Sequence, residues 1–138
     1  MILYLDTSSL VKLYVREEGS DEVRSLLDSA SLAASSVIAY AEARSALARR
    51  CREGSLSPAD HGVVRAAFDR EWPAILALDV TQSVARHAAD LAELHGLRAF
   101  DGLHLASYLA IAAAMPDESV VFSSFDQRLN GAAAAEAR

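Results

Sequence analysis

The run Ile2-Leu3-Tyr4-Leu5 is apolar at every position and stops at Asp6. A strand with one wet face alternates apolar and polar residues. A run without alternation belongs to a strand covered on both faces, the mark of a parallel sheet in an α/β domain. Such a strand needs a helical layer on each side. The next segments have the spacing to build one: Leu10, Val11, Leu13 and Tyr14 within Thr7–Val15, then Val23, Leu26 and Leu27 within Asp21–Ser29, with Ser20 as its N-cap.

Strand and helix signals continue to alternate. Ser31–Ala34 reads as a short strand, and Ser36 as the cap of a helix from Val37 to Glu53, stopped by Gly54. Ser57-Pro58-Ala59-Asp60 combines an N-cap, a proline at the first helical position and an acid three residues on; that helix ends near Trp72-Pro73. Ala74–Leu78 reads as a further buried strand, Thr81–His95 as a helix closed by Gly96, and Asp101–Ala114 as an alanine-rich helix. Ser119–Phe122 is a β-branched strand, Asp126–Leu129 begins a last short helix, and the tail 131–138 has helical propensity with nothing to end on. The pattern predicts one α/β domain over residues 1–138. Its architecture is a three-layer sandwich with a central parallel sheet of four or five strands, and ligands bind beyond the strands' carboxyl ends, at the switch in strand order.

Composition narrows the function classes. A net charge of −6 argues against coating nucleic acid through a broad basic surface. Engaging four acids as ligands would neutralise four of those six excess charges, so an enzyme acting on RNA stays open. Twelve of the thirteen cations are arginine, the better fork for phosphate. Cys51 is alone, which excludes an internal disulfide and fits a reducing cytoplasm. Asp6 interrupts the first apolar run before a secretory leader can form, and Leu103–Met115, which contains His104, Ser107 and Tyr108, is too short to span a bilayer. A cytoplasmic protein without membrane contact is expected.

Four acids occupy informative positions. Asp6 ends the first strand, Asp126 follows the last, Asp101 opens a helix, and Glu42 lies inside the third helix, on the border of its apolar face. Carboxylates gathered in this way suit a hard divalent cation: Mg²⁺, or Mn²⁺ in its place, takes oxygen ligands and can be held against a phosphate by a few of them. Without a cation, the four would repel one another and raise at least one pKa. A plainer reading stands beside this one, because aspartate is also a preferred N-cap: Asp6, Asp101 and Asp126 can each simply cap a helix. Glu42, in a helix interior, cannot.

Leu3-Tyr4-Leu5-Asp6-Thr7-Ser8, Tyr40-Ala41-Glu42, Phe100-Asp101-Gly102-Leu103-His104-Leu105-Ala106 and Ser124-Phe125-Asp126 occur in the order and spacing of the four acidic motifs of PIN domains. The chain resembles that family along nearly its whole length, and within it is most similar to VapC-type toxins of toxin–antitoxin pairs. The resemblance implies an Mg²⁺-dependent ribonuclease that leaves a 5′-phosphate and a 3′-hydroxyl. Asp6 and Asp101 would be the principal metal ligands, with Glu42 and Asp126 completing the set. Ser124 would bond a ligand carboxylate or a phosphate, and Thr7 and Ser8 would do similar work. It also implies a cognate antitoxin and a homodimer. Leu10, Leu13, Tyr14, Val23, Leu26 and Leu27 serve the core by default, and the resemblance adds a groove for an antitoxin helix. Many members carry a fifth strand beyond the point where this sequence ends.

His104, one turn after Asp101, reads as a packed histidine near the site rather than a ligand; His61, His87 and His95 lack zinc-ligand spacing and read as surface residues. Of Arg44, Arg49, Arg50 and Arg52, only Arg44 is near enough to Glu42 in sequence to favour as a phosphate contact. A dehalogenase-like phosphatase needs an aspartate where Ser8 stands; a receiver domain needs a late lysine, and the only lysine is Lys12. Serine-hydrolase and P-loop patterns are absent. The surviving alternative is a non-catalytic module whose acidic cluster binds RNA or a protein.

Overall fold

The computed structural model describes residues 1–137. Four strands, β1 (Ile2–Leu5), β2 (Leu32–Ser36), β3 (Leu76–Leu78) and β4 (Val120–Ser123), form one parallel sheet in the order β3-β2-β1-β4. Leu3 pairs with Ala33 on one side and Val121 on the other, so β1 is central. No fifth strand occurs among the described residues.

β1 is buried at all four positions because both of its faces are covered. Leu3 and Leu5 point into a core made with α1 (Thr7–Lys12), α2 (Ser20–Ser29), α3 (Ile38–Arg52) and α4 (Pro58–Glu71). Ile2 and Tyr4 face the opposite layer, where they meet Ile111 of α6 (Ala99–Ala114). There α6 packs between α5 (Gln82–His95) and α7 (Gln127–Glu136) through Ala88, Leu91, Leu105, Leu129 and Ala133. This is the three-layer sandwich expected from the alternation. Among the described residues no helix is long and apolar enough to cross a membrane.

Several boundaries and environments differ from those expected, each for a physical reason. Ser36 ends β2 rather than capping α3, although its hydroxyl still accepts from the Ile38 N–H at 3.3 Å. Ser20 is inside α2; the cap is Gly19, which takes φ +91°, and the Ser20 hydroxyl instead accepts from the Glu17 N–H and donates to the Val15 carbonyl. β3 is shorter than expected, because a 3-10 turn at Trp72–Ala74 consumes its start. It is also an edge strand, with Leu76 partly exposed, so its apolar run is not the sign of full burial that it is in β1. α6 begins at Ala99, which places Asp101 in its first turn rather than at its cap. The tail does find a partner: α7 runs to Glu136, which meets the Nε2 of His95 at 2.8 Å, so His95 is a clasp between helices and not a free surface residue.

α5 and α6 approach closely at Gly102, where an added Cβ would lie 2.7 Å from the Ala88 carbonyl oxygen and 3.3 Å from the Ala92 Cβ. Backbone cannot yield as a side chain can. Gly102→Ala is therefore expected to cost about 1–2 kcal/mol net, overpacking outweighing the gain in helix propensity. A thermal melt should fall by several degrees; an unchanged or higher midpoint would show that the helices can part freely.

Candidate active site

The strand order changes direction at β1: β2 and β3 are added on one side and β4 on the other. Crevices for ligands open at such a point, beyond the carboxyl ends of the two strands that flank it. Asp6 follows β1 there, and Asp126 lies three residues after β4 ends. A cavity of about 170 Å³ sits at this edge, lined by Asp6, Thr7, Ser8, Glu42, Arg98, Asp101, His104 and Asp126. The fold thus brings all four candidate acids, from four separate segments, around one cavity.

Each acid is anchored by one oxygen. Asp6, almost fully buried, accepts on Oδ1 from the Ser9 N–H at 3.0 Å, capping α1, and from the Ser8 hydroxyl at 2.7 Å. Asp126 caps α7 by accepting from the Leu129 N–H on Oδ1 at 2.8 Å. Capping and lining the cavity are compatible for these two, since a cap uses a single oxygen. Asp101 is not a cap; its Oδ2 meets the Arg98 Nε at 3.3 Å. Glu42 accepts on Oε1 from the Thr7 hydroxyl at 2.6 Å and lies 2.9 Å from His104 Nε2. Among the described residues the second oxygen of every one of the four makes no hydrogen bond.

Behind Glu42 runs a buried relay. His104, 2% exposed, contacts Glu42 through Nε2 and the Tyr4 hydroxyl through Nδ1, the latter at 2.9 Å. Burial pushes the Tyr4 hydroxyl up, with the charges of Asp6 and Glu42 adding to it, so Tyr4 keeps its proton. An ionised Glu42 can only accept, so Nε2 donates to it. Burial alone would raise the Glu42 carboxyl. The hydrogen bonds from His104 and Thr7, with the fields of His104 and Arg98, outweigh burial and hold it below the usual range. Asp101 goes the other way: burial, joined by the charge of Asp126, prevails over Arg98 and raises it.

The donor set is all hard oxygen with two cap positions and a helix interior behind it, which suits Mg²⁺ or Mn²⁺. Among the described residues, however, no three His, Cys, Asp or Glu side chains converge as they stand on a point that would hold a metal ion. The Asp101 carboxyl is already raised by burial, with the Asp126 charge adding to it. The chemistry of the donor set fits a divalent ion.

Two expected positions lie elsewhere. Arg44 does not reach the cavity: its Nη1 donates to the Tyr40 hydroxyl at 2.6 Å and meets Asp69 at 3.4 Å. Residues two apart on a helix face different directions, so nearness to Glu42 in sequence carried Arg44 away from it. Ser124 does not touch a carboxylate; its hydroxyl accepts from the Asp126 N–H at 3.1 Å and shapes the turn before that cap. Arg98 and Tyr4 are the site-adjacent residues that sequence reasoning missed. A signal existed for each: Arg98 stands three residues before Asp101 at a helix start, and alternation along β1 puts Tyr4 on the α6 face.

A larger, apolar cavity of about 290 Å³ stands apart from the acids, lined in part by Leu13, Tyr14, Leu27, Ala30 and Ile75. It falls between the α1–α2 region, the start of β2 and the segment just before β3, and takes in Leu13, Tyr14 and Leu27 of the six residues expected to form a groove. Leu10 and Val23 are core residues.

Comparison with known proteins agrees with this architecture. The family model of the PIN domain matches residues 3–135. Ribonuclease VapC45 and Ribonuclease VapC49, both of Mycobacterium tuberculosis, are each 37% identical over 138 residues, covering 99% of this chain and 93% of the relative. Among solved structures, M. tuberculosis VapC20, titled a sarcin-ricin loop cleaving toxin, superposes with a TM-score of 0.68 at 17% identity, over 94% of each chain. FitAcB of Neisseria gonorrhoeae superposes with 0.69 at 24% identity, over 97% of this chain and 94% of the other. At those identities the two structures speak for the fold alone. With a family model spanning nearly all of the chain and full-length relatives at this identity, the chain belongs to the PIN-domain family.

Proposed function

We propose that the protein is a divalent-metal-dependent ribonuclease, the toxin of a toxin–antitoxin pair. The observation that carries this reading is the cavity at the β1/β4 switch with Asp6, Glu42, Asp101 and Asp126 around it, each with one oxygen free. The ribonuclease names of the full-length relatives support the substrate class. Asp6 and Asp101 are the principal holders of Mg²⁺ or Mn²⁺, and Glu42 and Asp126 complete the set. When bound, the cation supplies Lewis acidity, lowering the pKa of a water and neutralising charge on the phosphate.

The chain's own residues supply position. Caps at Asp6 and Asp126 fix those carboxylates to helix ends, whose partial positive charge offsets some of the local negative charge. Thr7 and His104 hold Glu42 toward the cavity, and Ser8 fixes the Asp6 rotamer. Hydrolysis breaks the P–O3′ bond: the water oxygen joins the phosphorus, and its proton passes to the departing 3′-oxygen. The products are a 5′-phosphate and a 3′-hydroxyl. The test is incubation of the full chain with RNA in Mg²⁺ and in EDTA. Fragments bearing 5′-phosphates in Mg²⁺ alone are expected; intact RNA in both would leave the acidic cluster as a binding module without catalysis.

Cation binding has a direct readout. A ligand that binds only the folded state stabilises it by about 2.7 kcal/mol at a hundred times its Kd. Saturating Mg²⁺ or Mn²⁺ is thus expected to raise the melting temperature by several degrees, and EDTA to reverse the rise. No shift with either metal would remove the metal from the proposal. The partner assignment rests on the apolar cavity at Leu13, Tyr14 and Leu27, which suits the apolar face of an antitoxin helix. Sedimentation of the isolated chain reads out the proposed homodimer.

A further inference from the structure

Beside the carboxylate cavity lies a second one, of about 320 Å³, lined by Gly96, Leu97, Arg98, Asp101, Asp126 and Arg128. Arg98, Asp101 and Asp126 line both, so these three side chains form the shared wall. Arg128 belongs only to the second cavity. Its Nη1 donates to the Gly96 carbonyl at 2.9 Å, at the C-terminal end of α5, where a helix dipole favours a cation. That bond docks the guanidinium beside the cavity while leaving Nε and Nη2 without a partner among the described residues. Arg98 uses only Nε, on Asp101, and neither of its Nη groups has a partner among the described residues. The start of α6 on the same wall has no side-chain cap either.

We infer that Arg98 and Arg128 form a phosphate subsite that takes a backbone phosphate neighbouring the scissile one. This deepens the ribonuclease reading and rests on it. The charge logic is specific. In a chain of net charge −6, two guanidinium forks with free N–H groups face one cavity, at the boundary of the acids that would hold the cation. A guanidinium matches phosphate oxygens with paired donors, which a lone ammonium cannot do. An RNA strand crossing the wall would place one phosphate at the carboxylates and the next in the arginine cavity. The two arginines then set the register of the strand, holding it by its backbone without reading a base. The arginine that sequence proximity favours, Arg44, has no part in this.

Binding in EDTA separates the subsite from catalysis. The probe is a fluorescein-labelled oligouridylate of about a dozen nucleotides, followed by anisotropy with the full chain. Arg128→Ala is the primary variant, because it alters none of the four acids; Arg98→Ala is the second, and Arg16→Ala, an exposed arginine paired with Asp21, controls for net charge. Each subsite variant is expected to weaken binding three- to tenfold. The slope of log affinity against log salt should shrink by about 0.7 for each single-strand phosphate that the variant no longer neutralises. Weakening no larger than that of Arg16→Ala overturns the subsite. A folded-state check by circular dichroism accompanies each, and Arg128→Lys, which keeps the charge but not the fork, should fall between wild type and Arg128→Ala. If binding behaves as expected and wild type cleaves no RNA in Mg²⁺, the subsite stands and the nuclease reading falls. If RNA is cleaved and the arginine variants bind like the control, the reverse holds.

Discussion

Asp101→Asn is expected to reduce RNA cleavage by about 100-fold or more while leaving the fold at least as stable as before. The two effects come from the same physical cause. Asp101 carries its charge in a partly buried place beside Asp126, and burial together with that neighbour raises its carboxyl above the ordinary range. A raised acid favours the neutral state of the folded protein. Its stabilising contribution is full below the carboxyl's unfolded pKa and is lost as pH rises through the folded one. At neutral pH the ionised carboxylate is therefore a liability, and asparagine, its neutral near-isostere, removes that liability together with the ligand. Melting curves in EDTA should show Asp101→Asn equal to or above wild type, and the rise with Mg²⁺ should shrink or vanish. A variant that cleaves RNA normally would end the catalytic assignment, whatever its stability. A variant that fails to fold would instead show that the ion pair with Arg98 is structural.

His104→Leu tests the relay behind Glu42 and should damage both stability and activity. Leucine fills much of the imidazole's space, but the Tyr4 hydroxyl, fully buried, loses its bond to Nδ1 and Glu42 loses one of its two donors. Losing these two buried bonds costs about 2–3 kcal/mol, which lowers the melting temperature by roughly 5–10 °C in a chain of this size. Glu42 is held below the ordinary carboxyl range, so its ionised state adds stability at neutral pH that disappears as pH falls through the lowered pKa. In His104→Leu that acid-side loss of stability should begin at a higher pH. His104→Gln keeps a donor near Glu42 and should recover part of the Mg²⁺-induced rise in melting temperature, and of the cleavage rate. If leucine and glutamine are equally impaired in metal response, His104 does not position Glu42 and its role is packing alone.

How much of the molecule is legible in its sequence varies with the range of the interaction. The central strand, the alternation of elements and most helix starts follow from local pattern: an unbroken apolar run, a serine or threonine at a cap, a glycine at an end. Ser57 caps its helix as expected, and Thr81, expected inside its helix, caps it instead, each accepting from the N–H three residues on. Gly96 closes α5 at φ +65°. Reading from neighbours fails where the deciding partner is remote. Ala74–Leu78 looks like a buried strand because burial at an edge is set by what pairs with it. The tail looks unpartnered because Glu136 meets His95, 41 residues earlier in the chain.

The sequence by itself determined which side chains were available: four acids, three of them possible caps, in a chain whose periodicities admit one kind of layered sheet. Only the tertiary structure decided which of them meet. The order β3-β2-β1-β4 puts the ends of β1 and β4 side by side, and α3 and α6 then bring Glu42, Asp101 and His104 to the same edge. It also decided that Arg98 and Arg128, not Arg44, face this edge. The reason is geometric: helix phase turns a residue two positions from Glu42 away from it, while chain topology brings residues 120 positions apart, Asp6 and Asp126, around one cavity.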